Sequence, residues 1–407
     1  MPTSRSLAVR WPTATWPKLQ LVPKASAEGS YYEFFAGGGM ARAGLGSGWK
    51  CLFANDFDPK KQASYCQNWG DGEFHPGSVS DIAIENLPGH ADLAWASFPC
   101  QDLSLAGSGA GLEGSRSGTF WPFWSLIEGL NAQHRKPSLV VLENVCGALT
   151  SHGGADFRAL IGALSGEDYR YGAVVIDAVH FVPQSRPRLF IVAVDATIEI
   201  PSELCSKAPD PAWTPASLLK VCDSLKEKHR NNWIWWSLPK PGPREKVFSD
   251  LIEDEPAGVT WHTPAETKRL IEMMSILNRN KLEKVKRAGR RIVGAVYKRT
   301  RPDESGIRQQ RAEVRFDDIA GCLRTPVGGS SRQLIMVVEG EKVRSRLLSP
   351  REAAALMGLD DYILPEKYND AYHLAGDGLV VPVVRHLAAH LLEPLLSAVR
   401  QQRRRTA

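Results

Sequence analysis

The chain has 407 residues, a net charge of +5, 43% hydrophobic residues and 23% charged residues. These values are ordinary for a globular protein and exclude a wholly disordered chain, a collagen and a disulfide-stapled miniprotein. The seven cysteines are odd in number and form no CxxC pair, which argues against a disulfide framework or a zinc ribbon. No apolar run approaches the ~20 residues of a membrane helix. Residues 1–20 also lack the apolar core of a secretory signal, so we expect a soluble, cytoplasmic protein.

The positive charge is concentrated in one segment. Between Glu266 and Arg315 there are 15 Lys or Arg and 6 Asp or Glu residues, a local balance of +9, so the remainder carries −4. A basic segment on a near-neutral body indicates a polyanionic partner, most simply nucleic acid. A solvated helix face is the alternative interpretation.

In chain order, residues 1–28 are expected to form a flexible arm. Short apolar runs, separated by helical stretches, then predict the buried strands of a mostly parallel sheet covered on both faces. These runs are 31–35, 51–54, 93–96, 139–142 and 189–194. The chain is thus expected to have an α/β fold with its large domain at 29–204.

The pattern changes near residue 200, where prolines become frequent, and 205–365 is expected to form a second, smaller domain. Trp233, Trp235 and Trp236 are expected in the core of that domain, with a base-stacking platform as the alternative. Thr263 to Glu266 has the pattern of a helix N-terminus with a capping box, and this helix is expected to continue to about Ala288. Residues 366–400 are expected to return to the large domain, with Pro382 at the start of a helix.

The first strand is followed by a glycine turn, Ala36-Gly37-Gly38-Gly39. Such a turn exposes backbone N–H groups and lets a ligand approach closely. Asp56 ends the second strand, where a carboxylate can accept hydrogen bonds from ribose hydroxyls. Phe57 offers a flat face for an adenine. Together these residues predict a nucleotide-binding βα unit.

Three further strand ends carry reactive or charged side chains. Cys100 follows the third strand and a proline, where it is either a nucleophile or a buried structural thiol. Glu143 ends the fourth strand and is either a helix cap or a site acid. Arg186 and Arg188 precede the fifth strand on one side of an extended segment, where they can bind a phosphate or a base, or pair with surface acids.

The order and spacing of these motifs resemble those of the DNA cytosine-5 methyltransferase family over about residues 30–200 and 343–395. The matching segments are Phe35 to Gly39 (cofactor turn), Pro99-Cys100-Gln101 (nucleophile), Glu143-Asn144-Val145 (acid), Gln184 to Arg188 (Gln-x-Arg-x-Arg), Arg346 to Glu352 with Ala354 and Leu356 to Gly358 (end of the recognition domain), and Gly376-Asp377-Gly378 to Pro382 (last motif).

This resemblance implies a Rossmann-like S-adenosylmethionine-dependent fold, with a catalytic domain at 29–204 and a target-recognition domain at 205–365. It implies methyl transfer to C5 of a flipped cytosine in a short, specific double-stranded DNA sequence. Cys100 would add to C6 of the ring. Glu143 would contact N3 and the exocyclic amine, and Arg188, supported by Arg186, would hold the O2 side.

The cofactor implied is S-adenosylmethionine, and no metal is expected. The residues implied to bind it are Phe35, Gly37, Gly39, Asp56, Phe57, Ser78, Val79, Pro99, Asp377 and Gly378. Three positions depart from the common family pattern, because Met40 replaces a glycine, Ser78 an acidic residue and Asp377 an asparagine. These departures affect the details of cofactor binding rather than the class of reaction.

The DNA contacts implied are those of Gln101, Ser104 and Arg116 in a mobile loop and of Gly328, Gly329 and Arg332 in a recognition loop. A simple hairpin loop is the alternative for the second segment. Gln309, Gln310, Arg311 and Arg315 are further candidates for reading base edges.

We expect a monomer that works at the nucleoid, alone or alongside a cognate restriction endonuclease. The alternatives are an RNA cytosine-5 methyltransferase acting on transfer RNA, and a non-catalytic DNA-binding regulator with the same fold.

Overall fold

The computed structural model describes residues 29–99, 119–302, 306–325 and 332–406. The arm expected over residues 1–28 lies outside these ranges. The described residues fall into two compact units. The larger contains the chain up to Phe181, Arg186–Pro243 and Leu379–Ala407, and the smaller contains Val182–Ser185 and Arg244–Gly378.

The strands are β1 (Gly29–Phe34), β2 (Trp49–Asp56), β3 (Phe74–Pro76), β4 (Leu93–Ala96), β5 (Leu139–Val145), β6 (Tyr169–Asp177), β7 (Pro187–Asp195), β8 (Cys205–Ser206), β9 (Trp235–Trp236), β10 (Ile292–Pro302), β11 (Arg308–Arg315), β12 (Leu334–Glu339) and β13 (Lys342–Leu347). The α-helices are α1 (Met40–Leu45), α2 (Pro59–Trp69), α3 (Phe120–Ala132), α4 (Ala155–Gly166), α5 (Ala216–Asp223), α6 (Glu227–Arg230), α7 (Pro264–Glu272), α8 (Ile276–Arg287), α9 (Pro350–Ala355), α10 (Tyr368–Asp377), α11 (Val381–Leu387) and α12 (Glu393–Thr406).

Within the described ranges, the larger unit contains a seven-stranded sheet in the order β3-β2-β1-β4-β5-β7-β6. The strands pair in parallel except β7, which runs antiparallel to both β5 and β6. The expected mixed, mostly parallel α/β sheet is therefore confirmed. The five predicted strands correspond to β1, β2, β4, β5 and β7. The apolar pattern does not predict β6, because Arg170 and Gly172 interrupt it.

The order of the strands positions the site. The chain leaves β1 toward β2 and β3 on one side of the sheet, and then crosses to β4 on the other side. Ligands of open α/β sheets bind at such a switch point, beyond the carboxyl ends of the strands. All four residues of β4 are buried, as expected for a strand covered on both faces. The turn after β1 and the segment after β4 therefore lie at the same edge.

Residues 205–243 belong to the larger unit, and the main segment of the smaller unit runs from Arg244 to Gly378. The main chain on either side of Trp233 hydrogen-bonds to Tyr171 of edge strand β6, at 3.0 and 2.7 Å. Trp233 and Trp235 pack against the core of the larger unit, and Trp236 is buried. The expectation that the tryptophans form the core of the smaller domain is wrong, because they cover an edge strand that would otherwise be exposed.

The C-terminal helices also belong to the larger unit from Leu379 onward. Pro382 lies in the first turn of α11, as the sequence predicts. A π-helical turn, Ala388–Leu392, connects α11 to α12. By length and composition, the stretch from Tyr368 to Arg405 is apolar enough to cross a membrane, contrary to the sequence-based expectation. Its apolar side chains, Val384 and Leu396 among them, are buried inside the protein, so it is a core segment.

In the smaller unit, the described strands form an antiparallel sheet in the order β11-β10-β12-β13. Helices α7 and α8 cover one face of this sheet. Leu270 and Leu282 from the helices pack with Val296, Val314 and Met336 from the strands. The smaller unit thus has its own hydrophobic core.

The single helix predicted from Thr263 to about Ala288 is two helices. Its predicted N-terminus is confirmed, because Thr263 and Glu266 form a capping box around Pro264. The helix breaks after Glu272, where the carbonyl of Met273 accepts a hydrogen bond from Ala312 N of edge strand β11, at 3.0 Å. Ser275 then caps α8 through Asn278 N. The break provides an acceptor for a backbone N–H group of the edge strand β11, and the helical periodicity of the sequence does not reveal this.

A buried ion pair ties the segment before α9 to the rest of the smaller unit. Arg346 and Glu352 make two parallel hydrogen bonds of 2.7 and 2.6 Å, and both side chains are fully buried. Glu352 also accepts hydrogen bonds from the backbone N–H groups of Ser349 and Glu253. This pair is the structural centre of the predicted Arg346 to Glu352 motif.

Gln184 is a second buried polar residue that connects separate segments of the smaller unit. Its fully buried amide donates to Leu356 O at 2.7 Å and accepts from Leu323 N at 3.1 Å. The glutamine of the Gln-x-Arg-x-Arg motif therefore binds backbone of the smaller unit, although the two arginines belong to the larger unit.

Candidate active site and nucleic-acid interface

The turn after β1 has a left-handed backbone at three positions, Phe35 (φ 59°), Gly37 (φ 57°) and Gly39 (φ 76°). A Cβ on Gly39 would lie 2.4 Å from the indole nitrogen of Trp69, which itself donates to Gly38 O at 3.0 Å. A Cβ on Gly37 would meet only Lys61, at 4.0 Å. The turn is therefore tightly packed on the helix side at Gly39 and open at Gly37, as a ligand approaching the backbone requires.

Asp56 is buried at the end of β2 and braces this turn. One carboxylate oxygen accepts Gly37 N at 2.9 Å and the other accepts Asp58 N at 2.9 Å. Burial raises the pKa of Asp56, and Lys61 together with the two backbone donors opposes the increase. Each oxygen keeps a further lone pair. Phe57, the next residue, is 68% exposed. A carboxylate with spare acceptor capacity beside an exposed aromatic ring fits a nucleoside.

Ser78 and Val79 lie near the end of β3. Asn55 of β2 donates to the carbonyls of His75 and Gly77, at 2.8 and 3.0 Å, and so ties this segment to β2. The Ser78 hydroxyl accepts a hydrogen bond from Ser80 N and caps a short helical turn. The Val79 side chain is buried in the hydrophobic core.

Glu143 and Arg188 form an ion pair at the carboxyl edge of the sheet. Arg188 Nε lies 3.3 Å from Glu143 Oε1, and the two side chains are only 10% and 17% exposed. Burial raises the pKa of Glu143, although Arg188, Arg186 and a hydrogen bond from Ser97 all lower it. The pair exists because β7 is antiparallel, which puts Arg188 opposite Val145, the last residue of β5.

Arg186 is nearly fully buried, and its backbone N–H donates to Asp177 at 2.7 Å. The side chains of Arg186, Arg188 and Phe190 line one small cavity, opposite Leu379 and Val380. The cavity is about 10 Å³ in volume. The two arginines therefore lie on the same side of the chain, as their spacing indicates.

Asn144, next to Glu143, fixes the chain before the nucleophile motif. Its buried amide donates to Phe98 O at 3.3 Å and accepts from Val145 N at 2.8 Å. Pro99 is the last described residue of that segment. Cys100, Gln101, Ser104 and Arg116 lie outside the described ranges. In the sequence, only the position of Asn144 within the acid motif indicates its contact with Phe98.

Ser97 is a second neighbour of Glu143 that sequence analysis missed. It follows β4 and accepts a hydrogen bond from the Trp95 indole at 3.0 Å, and it is one of the groups that lower the pKa of Glu143. In the sequence, only its position indicates this role: Ala96 pairs with Leu142 across β4 and β5, and Ser97 and Glu143 are the residues that follow them.

Cys146, just after β5, is the described thiol nearest to Glu143. Burial raises the pKa of Cys146 to about 11, so it is protonated and unreactive at neutral pH. Cys51 and Cys222 are buried thiols with pKa values likewise raised by burial, to about 11 and about 12. None of these three is a competing nucleophile.

The remaining predicted site residues lie in the smaller unit. Asp377 ends α10 and Gly378 follows it. The Arg332 guanidinium lies 5.6 Å from the centre of the Tyr368 ring and hydrogen-bonds to Asn369. Gly328 and Gly329 lie outside the described ranges.

The smaller unit carries an exposed basic β-ribbon, formed by residues 298–302 of β10 and 308–311 of β11. Within these residues the two strands pair only with each other, from Lys298 opposite Ala312 to Pro302 opposite Arg308. Arg299 lies directly opposite Arg311. Like charges directly opposite each other destabilise a sheet, and Glu313, 3.5 Å from Arg299, offsets only part of this. The pair suits a polyanionic ligand.

Comparison with known proteins supports the same assignment. Residues 30–393 match the family model of the C-5 cytosine-specific DNA methylase. The chain is 24% identical over 399 residues to the type II methyltransferase M.HpaII of Haemophilus parainfluenzae, covering 92% of each protein. It is 24% identical over 364 residues to the type II methyltransferase M.HhaI of Haemophilus parahaemolyticus, covering 89% of this chain and 93% of that one.

Solved structures show the same fold. The S. pombe Dnmt2 methyltransferase has a TM-score of 0.53 at 18% identity, over 90% of this chain and 99% of that one. The Entamoeba histolytica methyltransferase EhMeth has a TM-score of 0.58 at 14% identity, over 91% and 98%. The expected S-adenosylmethionine-dependent methyltransferase fold is confirmed. Because the family model spans most of the chain, the protein belongs to the C-5 cytosine-specific DNA methylases and is a DNA cytosine methyltransferase.

Proposed function

We propose that the enzyme methylates C5 of a cytosine flipped out of double-stranded DNA, within a short specific sequence, through a covalent bond between Cys100 and C6. The observation that carries this proposal is the buried Glu143–Arg188 pair at the carboxyl edge of the sheet. It lies beside Asn144, which holds Phe98 two residues before Cys100. An acid, a guanidinium and a thiol are the groups that such an addition needs.

C5 of cytosine is too weak a nucleophile to accept a methyl group unaided. In the proposed reaction the Cys100 thiolate bonds to C6, and the electron pair of the C5–C6 double bond becomes available at C5. Bound S-adenosylmethionine supplies an electrophilic methyl group on its sulfonium. C5 would take this methyl group and leave S-adenosylhomocysteine. The C5 proton would then pass to solvent, its bonding electron pair would re-form the C5–C6 double bond, and the sulfur–C6 bond would break to give 5-methylcytosine and the Cys100 thiolate.

Glu143 is the proposed acid for the addition. Burial raises its pKa, which increases the fraction of the carboxyl that carries a proton at neutral pH. A protonated carboxyl can donate to N3 and so withdraw electrons from C6, while its other oxygen accepts from the exocyclic amine. Arg188 holds this carboxyl at 3.3 Å and is proposed to contact O2 of the pyrimidine, with buried Arg186 in support.

The proposed cofactor site is the turn after β1 with the ends of β2 and β3. Gly37 and Gly39 give the turn its shape, Asp56 accepts from the ribose hydroxyls, and Phe57 lies against the adenine. Phe35, Ser78, Val79 and Pro99 complete the set, and Asp377 and Gly378 are proposed to face the methionyl end. The open backbone at Gly37 and the exposed Phe57 ring support this fit.

The proposed substrate is duplex DNA, because the basic ribbon suits the major groove. A two-stranded ribbon fits that groove, and its arginines can neutralise phosphates. Gln101, Ser104 and Arg116 are proposed to contact the DNA around the flipped base, and Gly328, Gly329 and Arg332 to contact it from the recognition loop.

We further propose a cytoplasmic monomer acting on chromosomal DNA. The type II methyltransferases of Haemophilus that this chain resembles support a role alongside a restriction endonuclease that recognises the same sequence.

The test is transfer of labelled methyl groups from S-adenosylmethionine to plasmid DNA, followed by bisulfite sequencing. Protected cytosines in one short repeated context are expected, and Cys100→Ala should abolish transfer while retaining DNA binding. Incorporation of label into transfer RNA instead of DNA would show that the substrate is RNA. Cofactor-independent DNA binding without any transfer would favour a regulator, and turnover by Cys100→Ala would contradict the proposed nucleophile.

A further inference from the structure

The side chain of Arg332 lies on the first turn of α10. Its guanidinium is 5.6 Å from the centre of the Tyr368 ring and donates a hydrogen bond to the side-chain oxygen of Asn369. Both of these partners are neutral. Other arginines of the smaller unit, Arg315 and Arg346 among them, instead form ion pairs with carboxylates. Within the described residues, the charge of Arg332 is therefore held in place without being neutralised, which suits an anionic ligand.

Tyr368 is itself fixed by contacts with two other segments of the chain. Its hydroxyl donates to Leu348 O at 2.9 Å, and its ring stacks on Tyr372 with 5.9 Å between the ring centres. The Tyr372 hydroxyl accepts a hydrogen bond from Gln333 N at 2.9 Å. Arg332 and Gln333, two consecutive residues, therefore contact one anchored aromatic pair of α10.

The same helix also contacts the chain on the other side of residues 326–331, which lie outside the described ranges. A Cβ on Gly376 would lie 3.2 Å from both Arg324 C and Thr325 N, so α10 and this backbone are in direct contact. The described residues on either side of 326–331 thus both pack on α10. This helix therefore sets the position of Arg332 within the smaller unit.

We propose that Tyr368 and Asn369 are positioning residues, which hold the Arg332 guanidinium in place for contact with a DNA phosphate. The contact of Arg332 with DNA rests on the proposed function, whereas the arrangement of the three side chains does not. An arginine that is already ordered loses less conformational freedom when it binds, and without a carboxylate partner it keeps its full attraction for phosphate. Asn369 is exposed, so its replacement should change stability little.

The first measurement is the affinity of the whole enzyme for a labelled duplex of mixed sequence, as a function of salt concentration. A phosphate contact is independent of sequence, so no target site is needed. Arg332→Ala should weaken binding about fivefold or more and reduce the slope of log affinity against log salt by about 0.9. Asn369→Ala should weaken binding about threefold, and adding it to Arg332→Ala should cause no further loss, because it acts through Arg332. Additive losses would overturn the inference.

Asn369→Asp distinguishes positioning from a purely structural role. The added carboxylate pairs with Arg332 and neutralises it, so binding should fall about tenfold, while the melting temperature stays the same or rises. Asn231→Asp makes the same change of charge at an exposed position at the end of α6, outside the basic segment, and is the matched control. It should bind within about twofold of wild type. A purely structural Asn369 predicts equal binding by the two variants, a result that would overturn the inference.

Two variants of Tyr368 test the aromatic ring. Tyr368→Phe keeps the ring and should retain the wild-type affinity, whereas Tyr368→Leu should weaken binding about threefold, the size of one exposed cation–π contact. Equal binding by both would contradict support from the ring. Because binding does not require transfer, a wild type that binds duplex DNA but transfers no methyl group would refute the proposed function and leave these comparisons valid. Wild-type affinity in Arg332→Ala would overturn this inference alone.

Discussion

Single polar side chains at the strand ends carry the site, and each is held by a donor or acceptor from a neighbouring strand. Asp56 braces Gly37, Asn144 braces Phe98, and Glu143 is held by Arg188. The end of a predicted strand locates such a side chain in the sequence to within about one residue. Only its contact with a neighbouring strand fixes its orientation. The effect of a substitution at such a position is therefore expected in affinity or rate.

Asp56→Ala is expected to weaken S-adenosylmethionine binding by about 10- to 100-fold, the cost of losing hydrogen bonds to a charged acceptor. The chemical step should change much less, because the proposed pyrimidine site lies at other strand ends. Asp56→Asn keeps one oxygen acceptor and should show an intermediate affinity. Calorimetric titration and single-turnover kinetics measure the two effects, and an unchanged affinity in Asp56→Ala would mean that the ribose contact lies elsewhere.

The buried position of Glu33 in β1 predicts that the free energy of unfolding depends on pH. It is buried and its pKa is raised to about 8, chiefly by that burial and against the attraction of Arg42. The folded state then binds this proton more tightly than the unfolded state, so stability present at acidic pH is lost as the pH rises toward 8.

Glu33→Gln should remove this dependence and raise the melting temperature at pH 8 by about 2 to 4 °C, the shift that ~1 kcal/mol produces in a domain of ordinary size. Exposed Glu85→Gln is the control. Thermal unfolding at pH 5.5 and pH 8 measures the difference, and an equal pH dependence in wild type and Glu33→Gln would contradict a buried protonated carboxyl.

At the scale of elements, strand β7 and the ribbon of β10 and β11 position the proposed catalytic and DNA contacts. The antiparallel strand β7 brings Arg188 to the end of β5, and the basic ribbon of β10 and β11 presents Arg299 and Arg311 side by side. The break between α7 and α8 covers the edge of β11 as far as Ala312. Beyond that point, β10 and β11 pair only with each other among the described strands, and this part is proposed to contact DNA.

Arg311→Ala is expected to weaken binding to duplex DNA about fivefold or more and to reduce the slope of log affinity against log salt by about 0.9, the value for one phosphate contact. A loss restricted to the target sequence, with an unchanged salt slope, would instead assign Arg311 to a base edge. Arg230→Ala, at an exposed position at the end of α6 and outside the basic segment, is the matched control. Equal binding by both variants would exclude the ribbon from the interface.

At the scale of the molecule, each unit has its own core, and the buried Arg346–Glu352 pair supports the smaller one. Glu352→Gln should lower the free energy of unfolding of that unit by about 3 to 5 kcal/mol, because a buried guanidinium loses its partner. Arg346→Met combined with Glu352→Leu should recover only part of the loss, because it leaves no unpaired charge but removes the acceptor of the Ser349 and Glu253 backbone N–H groups. Denaturant unfolding measures both, and a loss under about 1 kcal/mol in Glu352→Gln would show that the pair is dispensable.

Local patterns in the sequence determined the strands β1, β2, β4, β5 and β7, the capping box of α7 and the order of the motifs. Apolar runs mark strands buried on both faces, and caps act within one turn, so neither needs the rest of the chain. The candidate site residues could be named for the same reason, since polar residues follow apolar runs.

Only the tertiary structure decided which of these residues meet. The Glu143–Arg188 pair needs the reversal of β7, and the tryptophans lie where edge strand β6 needs cover. The broken helix after Glu272 likewise depends on the edge of β11. Each of these contacts joins residues far apart in the chain, and the free energy that selects them comes from pairing and burial across strands, which local periodicity does not encode.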